Sequence, residues 1–133
     1  MATGTIKKVS TAKRQLLWTN PNPSTLGATT VTVNMDGYDL IEIECTETGN
    51  PPERTFYVKS PIGTDNTAVS TTLSTFFFNR SLSGLGALGV MSRVASVYLH
   101  GIVFTSGDML YDSTYYKDWD SRAVPYRIWG LKY

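Results

Sequence analysis

Apolar and polar positions alternate with a period of two in several short windows, the pattern of a strand with one face buried. Between Gly27 and Asn34, Val31 and Val33 fall on one face and Thr30, Thr32 and Asn34 on the other. Leu40 to Cys45 repeats the pattern, with Ile41, Ile43 and Cys45 inward and Glu42 and Glu44 outward. The linking turn Met35-Asp36-Gly37-Tyr38 contains an Asp-Gly pair that tolerates positive φ, so the two windows predict a β-hairpin. After the turn-forming Gly49-Asn50-Pro51-Pro52, Arg54 to Ser60 alternates again, with Phe56 and Val58 opposite Tyr57 and Lys59. Pro61 ends that strand, because proline cannot donate to a ladder, and Ile62 to Asn66 reads as loop.

Val69 to Arg80 is a long β-branched and aromatic run through Phe76, Phe77 and Phe78. Gly101 to Thr105 and Ala123 to Tyr133 give two more strands, the last with Val124, Tyr126 and Ile128 on one face and Pro125 at a strand start or an edge. Val90 to Leu99 fits either period: Val90, Val94 and Val97 share a helical face, and Met91, Arg93, Ala95, Val97 and Leu99 share a strand face. The β-rich sequence on both sides favours the strand. Many short strands without a repeat or an internal linker predict an all-β chain, an antiparallel β-sandwich of jelly-roll-like kind.

The length of 133 residues fits one domain, and 17% charged residues with 41% hydrophobic ones exclude a disordered chain. Twelve basic residues against eleven acidic ones leave a net charge of +1, which removes the global field expected of a nucleic-acid or membrane-surface binder. One cysteine excludes an intrachain disulfide and a cysteine-cluster metal site, and a single histidine leaves any metal to carboxylates. The first fifteen residues carry four basic side chains and no apolar stretch of roughly 7 to 15 residues, so no secretory signal is expected. No run approaches the roughly 18 apolar residues of a membrane span. Synthesis in a cytoplasm, without membrane insertion, is the expectation.

Gly84-Leu85-Gly86-Ala87-Leu88-Gly89 matches the dinucleotide fingerprint by letter, with Asp108 about 20 residues beyond it. The fingerprint works only between an apolar strand and a helix whose N-terminal amides hold pyrophosphate, and Asn79 to Ser83 separates it from the Phe run. A flexible loop or hairpin tip is the better reading. His100 has no positioned nucleophile near it in sequence, and Cys45 occupies an inward strand position suited to packing. No catalytic set, cofactor site or metal site is expected, and an enzyme is disfavoured. The sequon Asn79-Arg80-Ser81 matters only in a secreted protein.

The segment from Asp108 to Asp120 combines Asp108, Asp112, Asp118 and Asp120 with Tyr111, Tyr115, Tyr116 and Trp119. The acid spacings match no calcium loop. The segment is either a solvated loop or a recognition surface in which aromatic faces meet sugar rings while carboxylates and amides take the hydroxyls. Tyr111, Asp112, Tyr115, Tyr116, Asp118 and Trp119 are the candidate ligand-binding residues.

Leu16-Leu17-Trp18-Thr19-Asn20-Pro21-Asn22-Pro23, followed by Gly37-Tyr38-Asp39-Leu40-Ile41-Glu42-Ile43, resembles the start of small β domains in tailed-bacteriophage fibre and receptor-binding proteins. Val124-Pro125-Tyr126-Arg127-Ile128-Trp129-Gly130-Leu131-Lys132 is similar to their ending, and Arg93 to Ser106 to their penultimate strand pair. Gly49 to Leu88 does not align. Gly4-Thr5-Ile6-Lys7-Lys8-Val9 looks like a short attachment segment. The resemblance implies an N-terminal attachment segment over 1–15 that meets other virion proteins and a β-sandwich over 16–133. It also implies a homotrimer in the virion, contact with a bacterial surface glycan, and no catalysis. A head fibre or capsid decoration protein fits the resemblance equally, and a free-standing carbohydrate-binding lectin module is the alternative outside virions.

Overall fold

A computed structural model describes residues 13–47, 54–79, 87–111 and 113–133. Among them the regular elements are all strands: β1 (Lys13–Thr19), β2 (Thr29–Thr32), β3 (Leu40–Thr46), β4 (Thr55–Ser60), β5 (Val69–Asn79), β6 (Ala87–Val97), β7 (Gly101–Phe104), β8 (Asp108–Tyr111), β9 (Thr114–Tyr116) and β10 (Val124–Lys132). They form two antiparallel sheets. One has the order β1-β10-β3-β4; in the other, β2-β7-β6-β8-β9 is joined by β5 along β6. The chain is an all-β sandwich. First and last strands pair, as in jelly rolls, while β3 with β4 and β5 with β6 close as plain hairpins.

The inward residues of both sheets meet in one core. Ile41, Ile43, Leu73, Ile102 and Ile128 are fully buried there, each contributing about 1.5–3 kcal/mol of apolar transfer free energy. Cys45 sits in the same core, and burial pushes its thiol well above the ordinary range, so it is a packing residue. Val90 to Val97 is strand rather than helix, and Met91, Arg93, Ala95 and Val97 are its buried face.

The expected hairpin between the first two alternating windows does not form. β2 pairs with β7 in one sheet and β3 pairs with β10 and β4 in the other. Alternation sets which face is buried but not which strand lies alongside. The main chain after β2 continues against its own sheet, with Val33 and Met35 donating to the carbonyls of His100 and Leu99. Gly37, at φ 87°, then turns the chain across the core, where Asp39 donates to the Leu131 carbonyl of the opposite sheet. Tyr38 lands on bare backbone: a Cβ at Gly130 would lie 2.6 Å from its ring.

Two further expectations change. β1 begins at Lys13, so Lys13, Arg14 and Gln15 pair with Lys132, Leu131 and Gly130 as part of the sandwich; the rest of the 1–15 segment lies outside the described residues. Val124 and Ile128 are buried but Tyr126 is not, because the register slips between Pro125 and Arg127 and Tyr126 is the extra residue of a bulge. Pro125 tolerates its place near the start of a central strand beside that bulge.

On the outer face of the first sheet, Glu44 is only 3% exposed although its position points away from the core. Trp129 Nε1 donates to it at 3.0 Å and Arg127 at 3.2 Å, while Arg14 lies 3.7 Å above the Trp129 ring and bridges to Glu42 at 2.9 Å. These cations and rings shield Glu44 from solvent on that face.

Replacing Gly130 by Val should displace Tyr38 from its seat and destabilise the domain by about 1–3 kcal/mol, the usual cost of overpacking. Urea unfolding checks it; an unchanged midpoint contradicts the seat.

Candidate functional site

The site begins with a bulge. β7 and β8 are two halves of one strand alongside β6: Phe104 faces Ala95 and Asp108 faces Ser92, so Thr105, Ser106 and Gly107 stand opposite only Arg93 and Val94. Such an extra residue bends a strand and redirects the segment beyond it. From the bulge outward, β2 extends the β7 end and β9 extends the β8 end, and the sheet forks.

Arg93 fills the fork. It points inward from β6, is 1% exposed, and its guanidinium donates to four main-chain carbonyls, those of Leu26, Thr105, Asp120 and Arg122. Three separate segments are thereby tied to one planar cation: the β1–β2 connection, the bulge, and the β9–β10 connection. Burial lowers the guanidinium pKa and the carboxylate of Asp120 opposes that shift. Arginine keeps its charge in such a place, and its fork of donors is the geometry that several carbonyls require.

Gly107 makes the close packing possible, since a Cβ there would lie 2.4 Å from the Trp119 carbonyl and 2.5 Å from that of Arg122. Through that gap the Gly107 carbonyl accepts from Trp119 N at 2.6 Å, and Arg122 N closes a turn onto the Trp119 carbonyl at 3.1 Å. Leu26 N also donates to the Asp120 carbonyl. The loop from Lys117 to Ala123 is thus fixed through its backbone, with Lys117 and Asp118 exposed and Trp119 half-buried.

Those side chains border an open hollow of about 500 Å³, lined by Tyr115, Tyr116, Lys117, Asp118, Trp119 and Asp120. Tyr115 is 59% exposed. Its hydroxyl donates to Asp108 at 2.8 Å, and the other oxygen of that carboxylate accepts Asp118 N at 3.1 Å. Asp118 takes the left-handed conformation at φ 60°, which aspartate tolerates better than most residues. Tyr116 and Trp119 meet edge to face with centroids 5.0 Å apart, and the Arg122 guanidinium lies 5.4 Å from the Trp119 ring centre. Two aromatic rings in a fixed mutual angle, an exposed phenol, a lysine and two carboxylates suit an uncharged, polyhydroxylated ligand.

Of the six candidate residues, the fold brings Tyr115, Tyr116, Asp118 and Trp119 to this hollow. Tyr111 is buried on the inner face of β8 and does not line it, because alternation along β8 turns Met109 and Tyr111 inward and Leu110 outward. Asp112 lies outside the described residues. Asp120, one of the acids of the segment noted in the sequence, also lines the hollow, while Lys117 and Arg122 belong to the neighbourhood without a sequence signal beyond proximity. Arg93 was legible as an inward position, but its four carbonyl partners come from segments that only the folded chain brings together.

The glycine-rich fingerprint has no nucleotide-binding setting. Ala87, its fourth residue, already starts a strand paired antiparallel with β5, where the fingerprint needs a helix; Gly84 and Gly86 lie outside the described residues. His100 sits exposed in the turn before β7 with Nδ1 2.6 Å from Asp65, whereas Cys45 is buried in the core. Among the described residues no three His, Cys, Asp or Glu side chains are grouped to hold a metal, and no helix is long and apolar enough to cross a membrane. Comparisons with protein-family models, with curated proteins and with solved structures find no match to this chain.

Arg93→Met removes four donors from buried carbonyls and should cost about 3 kcal/mol or more, the scale for breaking a buried charged network. Arg93→Lys should recover little, since three tetrahedral donors cannot span the four carbonyls. Chemical unfolding of both variants tests this; near-wild-type stability in Arg93→Met contradicts it. At Tyr115, the hydrogen bond to Asp108 raises the phenol pKa above its ordinary 10.0. The contact should therefore persist up to pH 10 and be lost as pH rises through the folded-state value, which ultraviolet titration against Tyr115→Phe will show.

Proposed function

We propose that the protein is a non-catalytic virion component of a bacteriophage, a fibre or receptor-binding module that contacts a bacterial surface glycan through the Tyr115–Trp119 hollow. The observation that carries the glycan reading is the pairing of exposed and half-buried aromatic rings with Asp108 and Asp118 on a loop whose backbone is already fixed. A sugar ring stacks on such a face, and a loop that needs no ordering loses less free energy on binding. Asp118 and Lys117, both exposed on the lining, would meet hydroxyls at the rim.

The virion reading is supported by the likeness of Leu16–Pro23, Gly37–Ile43 and Val124–Lys132 to fibre domains. A homotrimer is part of the proposal. Its support is the set of large apolar side chains left on the monomer's surface, among them Phe76 at 66% exposure and Leu110 at 48%, together with the open outer edges of β4 and β2. The N-terminal attachment segment would join it to other virion proteins, and no nucleic acid or membrane is involved.

Trp119→Ala and Tyr116→Ala should each weaken adsorption to host cells about tenfold or more while leaving the fold and the solution mass unchanged. Light scattering should give three times the 14.7 kDa of the chain. Normal adsorption by both variants contradicts the site. Binding to capsids without blocking infection would identify a decoration protein instead, and sugar binding by a clean monomer a free lectin.

A further inference from the structure

A second hollow lies beside the first. It is a groove of about 610 Å³ between the end of β1, the connection Asn20–Ala28 and the strand β2. β1 and β2 are edge strands of opposite sheets, so the groove runs along an open side of the sandwich. Trp18 forms part of its wall, half-buried because it also packs on the core. Asn22, Thr25, Thr29 and Thr30 are exposed along it. None of the described residues lining it is charged.

The groove is built rather than loose. Asn20, 4% exposed, donates from Nδ2 to the Pro125 carbonyl at 2.9 Å and accepts Asn22 N on Oδ1 at 2.9 Å, which fixes the bend after Trp18. Its far end is held by Arg93, through the Leu26 carbonyl. Here the two hollows share a wall: the Asp120 carboxylate, which lines the first, lies 3.4 Å from where a Cβ would stand at Gly27, which lines the second. The Asp120 carboxylate thus stands against Gly27 at the boundary of the two hollows, and Leu26 N on the Asp120 carbonyl keeps the two walls in register.

We infer that the two hollows are consecutive subsites for one elongated, neutral oligosaccharide. The inference rests on the glycan reading of the Tyr115–Trp119 hollow. An indole beside amides and hydroxyls, with no charge, is the chemistry that takes uncharged sugar units and offers nothing to phosphate or carboxylate groups. The first hollow, with two carboxylates and one lysine, likewise gives no advantage to an anionic chain. The ligand is then the interior of a polymer rather than a single terminal sugar.

The test is calorimetric titration with neutral oligosaccharides of glucose, galactose, mannose and N-acetylglucosamine, one to six units long. Affinity for the sugar that binds should rise about tenfold or more with chain length, as added hydrogen bonds and stacking in the groove accumulate. Asn22→Ala and Thr30→Arg, both at exposed positions, should abolish that gain while leaving the shortest bound sugar unaffected, and Trp119→Ala should weaken every length. Sugar binding without a length gain, or a gain untouched by both groove variants, overturns the two-subsite inference and leaves the single-site glycan reading standing. If no sugar of any length binds, both readings fall together.

Discussion

One buried cation, Arg93, holds together the end of this sandwich that carries the two hollows. An arginine at 1% exposure is costly to desolvate, and here its guanidinium is compensated by four main-chain carbonyls. The arrangement stems from the bulge. Where Thr105 to Gly107 loops out opposite Arg93 and Val94, the ladder leaves carbonyls without strand partners, and a buried carbonyl without a donor is unfavourable. Arg93 supplies donors to the bulge and to both neighbouring connections at once. A hydrophobic residue in its place would fill volume and satisfy none of them.

That constraint explains why the loops differ in kind from ordinary surface turns. The connections Asn20–Ala28 and Lys117–Ala123 are irregular in backbone, yet each is pinned through its main chain, by Asn20, Gly107 and Arg93. Apart from Asn20 and Leu26, which are used in packing, several of their side chains are exposed, Asn22, Thr25, Lys117 and Asp118 among them, and Trp119 is half-buried. In the proposed role such a scaffold would separate rigidity from recognition: the backbone sets the position of Trp119 and Tyr116, and the residue types would set what they meet. The opposite sheet solves a different problem with the same residue type, as Arg14 and Arg127 lie on aromatic rings and close the outer face around Glu44.

Strand positions and the buried faces were legible because a period of two is written directly into residues such as Ile41, Ile43 and Cys45. Pairing was not. The Asp-Gly turn at Gly37 suits a hairpin locally, but the seat that Gly130 offers Tyr38 lies on the other sheet, far along the chain from the turn, and no local signal announces it. Tyr126 misled for a related reason, since a bulge shifts alternation by one and its cause is the register with β3. At the site, the aromatic and acidic enrichment from Tyr115 to Trp119 marked the segment that lines the hollow, whereas Tyr111 shared its composition and took the buried face. The meaning of Arg93 depended on carbonyls 67 residues before it and 29 after it.

If the rings of the fixed loop meet a saccharide, as proposed, the indole N–H resonance of Trp119 reports on it most directly. In a titration of the labelled protein with polysaccharide prepared from the bacterial surface, Trp119 should shift saturably. Trp129, whose indole N–H is held by Glu44 on the opposite sheet, should not move. A stationary Trp119 resonance, or equal shifts at Trp119 and Trp129, would contradict the account.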